Sequence, residues 1–357
     1  MLADFFSGKR ILLTGHTGFK GGWLAQMLIS MGAKVSGFSL EPNTEPNLYS
    51  LLGLDSRLSS HIADIRDFDA VLSALRQEKP EIIFHMAAQP LVRSSYDDPR
   101  DTFETNVMGT VNVLEAIRQT SCVKSAVLIT TDKVYENKED GQAFVEDDPL
   151  GGYDPYSASK AADEIAIRSY ARSFFNPAAS SSSAPVRPLP LIASARAGNV
   201  IGGGDWSADR LVPDIVRAKA SGQTLTLRNP SSVRPWQHVL DPLYGYLLLA
   251  KGLHEGHRPL AGAYNFAPDE NKPITVEQIA KKSGVKYSVQ PDGQKHEAGT
   301  LRLDATKARK TLHWKPRLGL DAALSLTFEW YSKQAAGGGM AEFTQKQIDE
   351  YLTKAEK

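Results

Sequence analysis

The chain is poor in cysteine, in net charge and in long apolar runs. Cys122 is the single cysteine of 357 residues, which excludes a disulfide framework and fits a reducing compartment. The 41 basic and 41 acidic side chains cancel, so no large positive field is present to attract nucleic acid or an anionic membrane. An anionic small molecule stays open, because a few local arginines are enough to grip a diphosphate. The first apolar run, Ile11 to Leu13, follows charged residues and a glycine. It is too short for a signal peptide or a membrane span, and a cytoplasmic protein is expected. No internal repeat of roughly 20–50 residues occurs.

What is present is enough apolar sequence, 41% of residues, to bury a sizeable core. The length suits one large domain with a smaller lobe, or two domains. Through the first half, short β-rich runs alternate with amphipathic helical stretches. Strands are predicted at 10–14, 34–39, 82–85, 125–130 and 189–195, with helices at 21–31, 68–78, 102–118 and 156–174. Parallel strands need crossover connections, so this alternation implies a parallel sheet with helices on both faces. Beyond residue 196 the pattern is mixed. Helices are predicted at 211–220, 240–251, 276–283, 320–334 and 343–355, and short strands at 224–227 and 263–266. The run 176–190 is rich in Ala, Ser and Pro and reads as a flexible surface insertion.

The first strand runs into Gly15-His16-Thr17-Gly18-Phe19-Lys20-Gly21, and a helix follows. Glycines in such a turn permit its tightness, let the backbone approach a pyrophosphate and allow close helix–strand packing, while the helix N-terminus offers free N–H groups and a positive dipole. A plain glycine-rich turn is the competing reading. After the second strand, Ser39 is placed to bond a ribose hydroxyl, with Glu41 further along. No arginine stands there to accept a 2′-phosphate, which favours NAD over NADP. Asp64 and Ile65 follow the next weak strand, where they would meet the adenine edge; a loop aspartate capping a helix is the alternative. Ala87 and Ala88, small residues after strand 82–85, would let a cofactor lie close to the sheet edge.

Tyr156 and Lys160 stand four apart at the start of a long helix, which puts them on one face. A neighbouring ammonium is expected to lower the phenol's pKa and make it a usable general base. Such a pair is common on solvated helices. Here it follows Thr130-Thr131-Asp132-Lys133 at the carboxyl end of a strand, the edge where open α/β sheets bind ligands. A hydroxyl, a carboxylate and an amine together suit proton traffic on a polyol; a strand-end turn residue is the competing reading of Asp132.

With these residues the chain resembles the extended short-chain dehydrogenase/reductase family over nearly its whole length, and within it the sugar-nucleotide members. The matches are Gly15, Gly18 and Gly21, then Ala87-Ala88-Gln89, Asn106, Thr131, Tyr156 and Lys160. Longer strings, TGHTGFKG at 14–21, TTDKVY at 130–135, GNVIGGGDW at 198–206 and RPWQHV at 234–239, resemble the CDP-glucose 4,6-dehydratase branch. The resemblance implies a Rossmann-type, doubly wound parallel sheet with a smaller, interleaved C-terminal substrate lobe. The NAD-binding part would be 1–195, with 239–261 and 304–334 returning to it; the sugar-nucleotide lobe would be 196–238 and 262–303, and 335–357 a last helix.

The same resemblance implies a redox-neutral reaction on a nucleotide sugar such as CDP-glucose: oxidation at C4, loss of water across C5–C6 and return of the hydride to C6. Tyr156 would take the 4-hydroxyl proton, Thr131 would bond that hydroxyl, Asp132 would protonate the departing 6-hydroxyl, and Lys160 would also bond the nicotinamide ribose. Lys133 would take the C5 proton or stabilise the enolate. The cofactor contacts would include Thr17, Phe19, Gln89, Asn106 and Thr130. Arg234 and Asn199 would bind the diphosphate, and His296 and Glu297 would close on the substrate. Trp206 and Trp236 would line the base pocket, unless they are core residues; a surface arginine is the competing reading of Arg234. An epimerase needs no acid at C6, and a dinucleotide sensor typically loses the Tyr–Lys pair. Helices 102–118 and 156–174 would form a four-helix contact, making a homodimer the minimum assembly, with a homotetramer also open.

Overall fold

The computed structural model describes residues 1–175, 189–269, 274–291, 295 and 298–356. The expected insertion 176–190 falls almost wholly outside them. Among the described residues eleven strands follow in chain order: β1 Arg10–Thr14, β2 Lys34–Ser39, β3 Ser59–Ile62, β4 Ile82–His85, β5 Ser125–Ile129, β6 Leu191–Ala197, β7 Val200–Ile201, β8 Leu225–Leu227, β9 Gln237–His238, β10 Ala263–Phe266 and β11 Tyr287–Val289. Seven of them make one all-parallel sheet in the order β10-β6-β5-β4-β1-β2-β3. The chain moves outward one way from β1 to β3 and the other way from β4 to β10. The reversal leaves a crevice outside the carboxyl ends of β1 and β4, where doubly wound sheets take ligands.

The central strands are apolar on both faces because helices cover both. One core joins Ile11, Leu13 and Phe84 to the C-terminal helices; the other joins Leu12, Ile83 and Leu128 to Leu75, Leu114 and Ile117. β3 is a polar edge strand, Ser-Ser-His-Ile, with little burial, which is why its sequence signal was weak. Strand 263–266, expected in the smaller lobe, is instead β10, paired with β6 at the far edge of the main sheet. Two further parallel pairs, β8–β11 and β7–β9, stand apart from the main sheet.

Helix 102–118 is built as Pro99–Phe103, a π-turn at Glu104–Met108 and a helix Gly109–Gln119. The helix of Tyr156 and Lys160, Pro155–Tyr170, starts on Pro155 with Asp154 as its cap; Asp154 accepts from the Ser157 N–H at 2.9 Å and its hydroxyl at 2.6 Å. The last helix, Met340–Ala355, folds back onto the body: Trp330 Nε1 donates to Thr344 Oγ1, and Tyr351 donates to Asp241. Among the described residues no helix is long and apolar enough to cross a membrane.

Candidate active site

The glycine turn closes on itself. Gly15 has φ +75°, and a Cβ there would lie 2.8 Å from the Ala87 backbone nitrogen; one on Gly21 would lie 2.1 Å from the Gly15 carbonyl oxygen. Only glycine lets the turn pass so close to the β4 loop and to its own helix. The helix that follows, Phe19–Ser30, begins at Gly18 with no side chain capping it. Its first amides therefore have no competing protein acceptor on the cap, as a pyrophosphate cradle requires.

Thr17 Oγ1 donates to the Leu40 carbonyl at 2.9 Å and lies 2.9 Å from Ser39 Oγ. With the Thr17 proton committed to Leu40, Ser39 donates to Thr17 and keeps its lone pairs for a ribose hydroxyl. Exposed Glu41 and Glu45 lie beyond it, with no arginine at the end of β2. These features fit a dinucleotide without a 2′-phosphate.

Asp64 does not cap a helix; Asp67 does, accepting from the Ala70 N–H at 3.0 Å. Asp64 instead grips Arg66 through its backbone N–H, Nε and Nη2, and that guanidinium holds its carboxyl below the usual range. Ile65 is buried against Gly109. Ala87 donates its N–H to Thr14 Oγ1 at 3.1 Å, and Ala88 sits beside it, half-buried.

Three residues expected at the cofactor also make hydrogen bonds within the protein. Asn106 is fully buried: it accepts from the Gln89 N–H at 2.8 Å and donates to the Gln89 carbonyl and to Ser159 Oγ. It thereby ties the β4 loop to the helix of Tyr156 and Lys160. The Gln89 side chain holds Leu91 and Thr102, and the Thr130 hydroxyl donates to Glu164 at 2.6 Å. All three help to fix the frame of the crevice.

The structure brings the expected catalytic residues together. Tyr156, Thr131, Asp132 and Lys160 are all buried at the carboxyl edge of β5. The Thr131 hydroxyl donates to Asp132 Oδ1 at 3.0 Å and stands beside the Tyr156 phenol. Asp132 Oδ2 has no hydrogen-bond partner among the described residues. Burial raises the Asp132 pKa, against the pull of Lys133, Thr131, Arg234 and Lys20. A raised pKa moves a carboxyl toward the protonated form that a proton donor needs. Lys133, half-buried, faces Asp132. The phenol corrects an expectation: burial raises its pKa by more than Lys160, Thr131 and Arg210 lower it, so Lys160 acts in the expected direction without setting the net shift.

Arg234 is buried; its Nη1 donates to the carbonyls of Val233 and Gly299, and it acts on Asp132. It is not a surface arginine. Asn199 is half-buried, its carbonyl holding the Gln237 N–H at 3.0 Å. Trp236 is buried in the main core with its Nε1 unpartnered among the described residues. Trp206, half-buried, packs edge-on against Trp330 and Tyr331. His296 and Glu297 lie outside the described residues.

Several residues at the site escaped the sequence reading. Lys20, the second residue of the turn helix, interacts with Asp132, Lys160 and Arg210, and burial lowers its pKa to about 8. Arg210, just before the helix Leu211–Ser221, pairs with Asp205 at 2.9 Å and reaches the field of Tyr156. His85 is buried and neutral, its pKa lowered by burial to about 3; it joins Thr14 Oγ1 at 2.8 Å to Thr110 Oγ1 at 3.0 Å. Lys20 stood inside a quoted motif, but no local spacing signals which way it points.

A family profile described as GDP-mannose 4,6 dehydratase matches residues 12–327. A CDP-glucose 4,6-dehydratase of Salmonella typhimurium is 44% identical over 356 residues, covering 98% of both chains. Among solved structures, DesIV of Streptomyces venezuelae, a dTDP-glucose 4,6-dehydratase with NAD and TYD bound, superposes with a TM-score of 0.78 at 24% identity, covering 92% of this chain and 98% of that one. A UDP-glucose 4-epimerase of Thermus thermophilus in complex with NAD gives 0.76 at 25%, covering 90% and 99%.

Proposed function

The chain belongs to the GDP-mannose 4,6-dehydratase family, and on that premise we propose that it is an NAD-dependent hydro-lyase that converts CDP-D-glucose to CDP-4-keto-6-deoxyglucose. The observation that carries the reading is the buried Thr131–Asp132–Tyr156–Lys160 group at the edge of β5, beside the uncapped turn helix. An enzyme that oxidises and re-reduces one carbon has no use for a buried acid beside its base. Asp132, raised in pKa and with one oxygen unpartnered among the described residues, is such an acid.

Gly15, Gly18 and Gly21, the first amides of the turn helix, and Ser39 would hold NAD; when bound it supplies the reversible hydride store. Tyr156 removes the proton of the 4-hydroxyl, with the Thr131 hydroxyl orienting that oxygen and Lys160 favouring the phenolate. Once C4 is a ketone the C5 proton is acidic, and Lys133 takes it or stabilises the enolate. Asp132 delivers a proton to the 6-oxygen as it leaves. Arg234 and Asn199 hold the diphosphate from the smaller lobe, and Arg210 and Lys20 add positive charge around the anionic transition state. The protein works in the cytoplasm as a homodimer. The exposed apolar side chains of Phe103, Met108 and Ile165 on the two long helices support that assembly.

The test is a screen of CDP-, dTDP-, GDP- and UDP-sugars for ketone formation without added reductant. CDP-glucose is expected to turn over best, and Tyr156→Phe to lose activity by about 10²–10⁴-fold. A product that keeps its C6 oxygen would make the enzyme an epimerase.

A further inference from the structure

Asp163 lies three residues beyond Lys160 on the catalytic helix and has no part in the steps above. Its carboxylate accepts a hydrogen bond from the Lys160 ammonium at 2.8 Å, and the two side chains are 1% and 5% exposed. The charges around them come from every packed element. Lys20, on the turn helix, repels Lys160. His85, at the end of β4, is neutral and within the field of Lys160. Thr110 and Glu164 stand beside Asp163. On the far side is Tyr156, which also feels Asp132 and Arg210.

An ammonium shut away from water, with a second ammonium nearby, tends to give up its proton. Asp163 opposes this from hydrogen-bond distance, and does so at a cost to itself. Its Oδ1 is without a hydrogen bond in the described residues, and burial pushes its own pKa up to about 6. A buried pair so poorly provided for is weak as a device for stability, since apolar residues of similar volume are often as good.

We propose that Asp163 is a positioning residue for the reaction: through the buried ion pair it holds the Lys160 ammonium in place, charged, beside Tyr156. The inference rests on the assignment of Tyr156 and Lys160 made above. The sign is fixed by electrostatics. Removing the carboxylate lowers the proton affinity of Lys160, so its positive charge is lost at a lower pH. The phenolate then loses its stabilising neighbour at alkaline pH, and turnover falls with it.

The test compares the full-length protein with Asp163→Asn and Asp163→Glu. Lysine labelled with ¹³C at Cε is titrated by NMR without ligands, with the Lys160 resonance assigned from Lys160→Arg. The pH profiles of kcat and KM for CDP-glucose are measured in parallel. In Asp163→Asn, Lys160 is expected to titrate about one pH unit or more below its wild-type value. The alkaline limb of kcat moves down with it, while KM changes by less than roughly threefold. Asp163→Glu restores most of both. A folded Asp163→Asn protein in which Lys160 titrates as in the wild type would overturn the proposal; if that variant does not fold, Asp163→Ser carries the same comparison. Failure of the wild type to turn over CDP-glucose would sink the substrate assignment alone, because the NMR titration needs no substrate.

Discussion

Two adjacent buried carboxylates on the helix Pro155–Tyr170, Glu164 and Asp163, each form an ion pair, and they are provided for in opposite ways. Glu164 accepts from Thr130 at 2.6 Å, from Ser194 at 2.7 Å and from Arg196 through Nε at 2.9 Å and Nη2 at 2.8 Å. Arg196 Nη1 donates onward to Tyr135 and to the Glu146 carbonyl, and Tyr135 donates to Asn265. Burial alone would raise the Glu164 pKa, yet Arg196 and the two hydroxyls bring it below the usual range. Asp163, as deeply buried, has Lys160 and little else, and its pKa moves up. Burial is alike in both; the donors around Glu164 outweigh it, whereas at Asp163 they do not, and the neighbouring Glu164 carboxylate adds to the rise. The first pair locks the ends of β5 and β6 to the helix that carries Tyr156. The second leaves a charge poised at the crevice.

The comparison breaks most visibly if the saturated pair is opened. Arg196→Met leaves Glu164 buried and charged, and is expected to cost about 3–5 kcal/mol in chemical denaturation. A loss below about 1 kcal/mol would mean that the network is not the clamp described. A third buried carboxylate sharpens the same rule at smaller scale. Asp241 accepts from Tyr351 and from the Arg317 N–H through one oxygen, while the other is unpartnered among the described residues; burial raises its pKa to about 6. The fold therefore prefers its protonated form. The cost of ionisation is absent near the ordinary carboxylate pKa and complete once pH exceeds the folded value. Asp241→Asn should stabilise the protein by about 1–2 kcal/mol near pH 8 and by nothing near pH 4. A gain that does not vary with pH would assign the effect to packing.

Much of the fold was legible because its elements declare themselves locally. β2, β4, β10 and the helices Phe68–Glu78 and Val276–Ser283 fall where the apolar runs and caps put them. β3 was weak because an exposed Ser-Ser-His edge carries no apolar alternation. The placement of β10 beside β6 depends on long-range pairing that no local pattern encodes. At the site, the glycine turn and the Tyr156–Lys160 pair are fixed by spacing and could be read directly. Asp163, Lys20 and Arg210 could not, since their roles come from neighbours contributed by other strands and helices. His16 is a further case: its ring, neutral with a pKa lowered mainly by burial to about 4, fills the space over Gly37, where a Cβ would lie 2.3 Å from it. Asn106, Gln89 and Thr130 stand in motifs that spacing made visible, but their hydrogen bonds to Ser159, Thr102 and Glu164 depend on the fold and could not be read from that spacing.

The central claim is that one crevice removes a hydride equivalent from C4 and returns it to C6 of the same sugar, with Asp132 assisting the departure of the C6 oxygen between the two steps. The most direct measurement is turnover of CDP-glucose carrying deuterium at C4, without added reductant, with the product read by mass spectrometry and NMR. The account predicts a 4-keto-6-deoxy product with the deuterium on C6. Deuterium retained at C4 of a sugar that still bears its 6-hydroxyl, or lost to solvent, would contradict it.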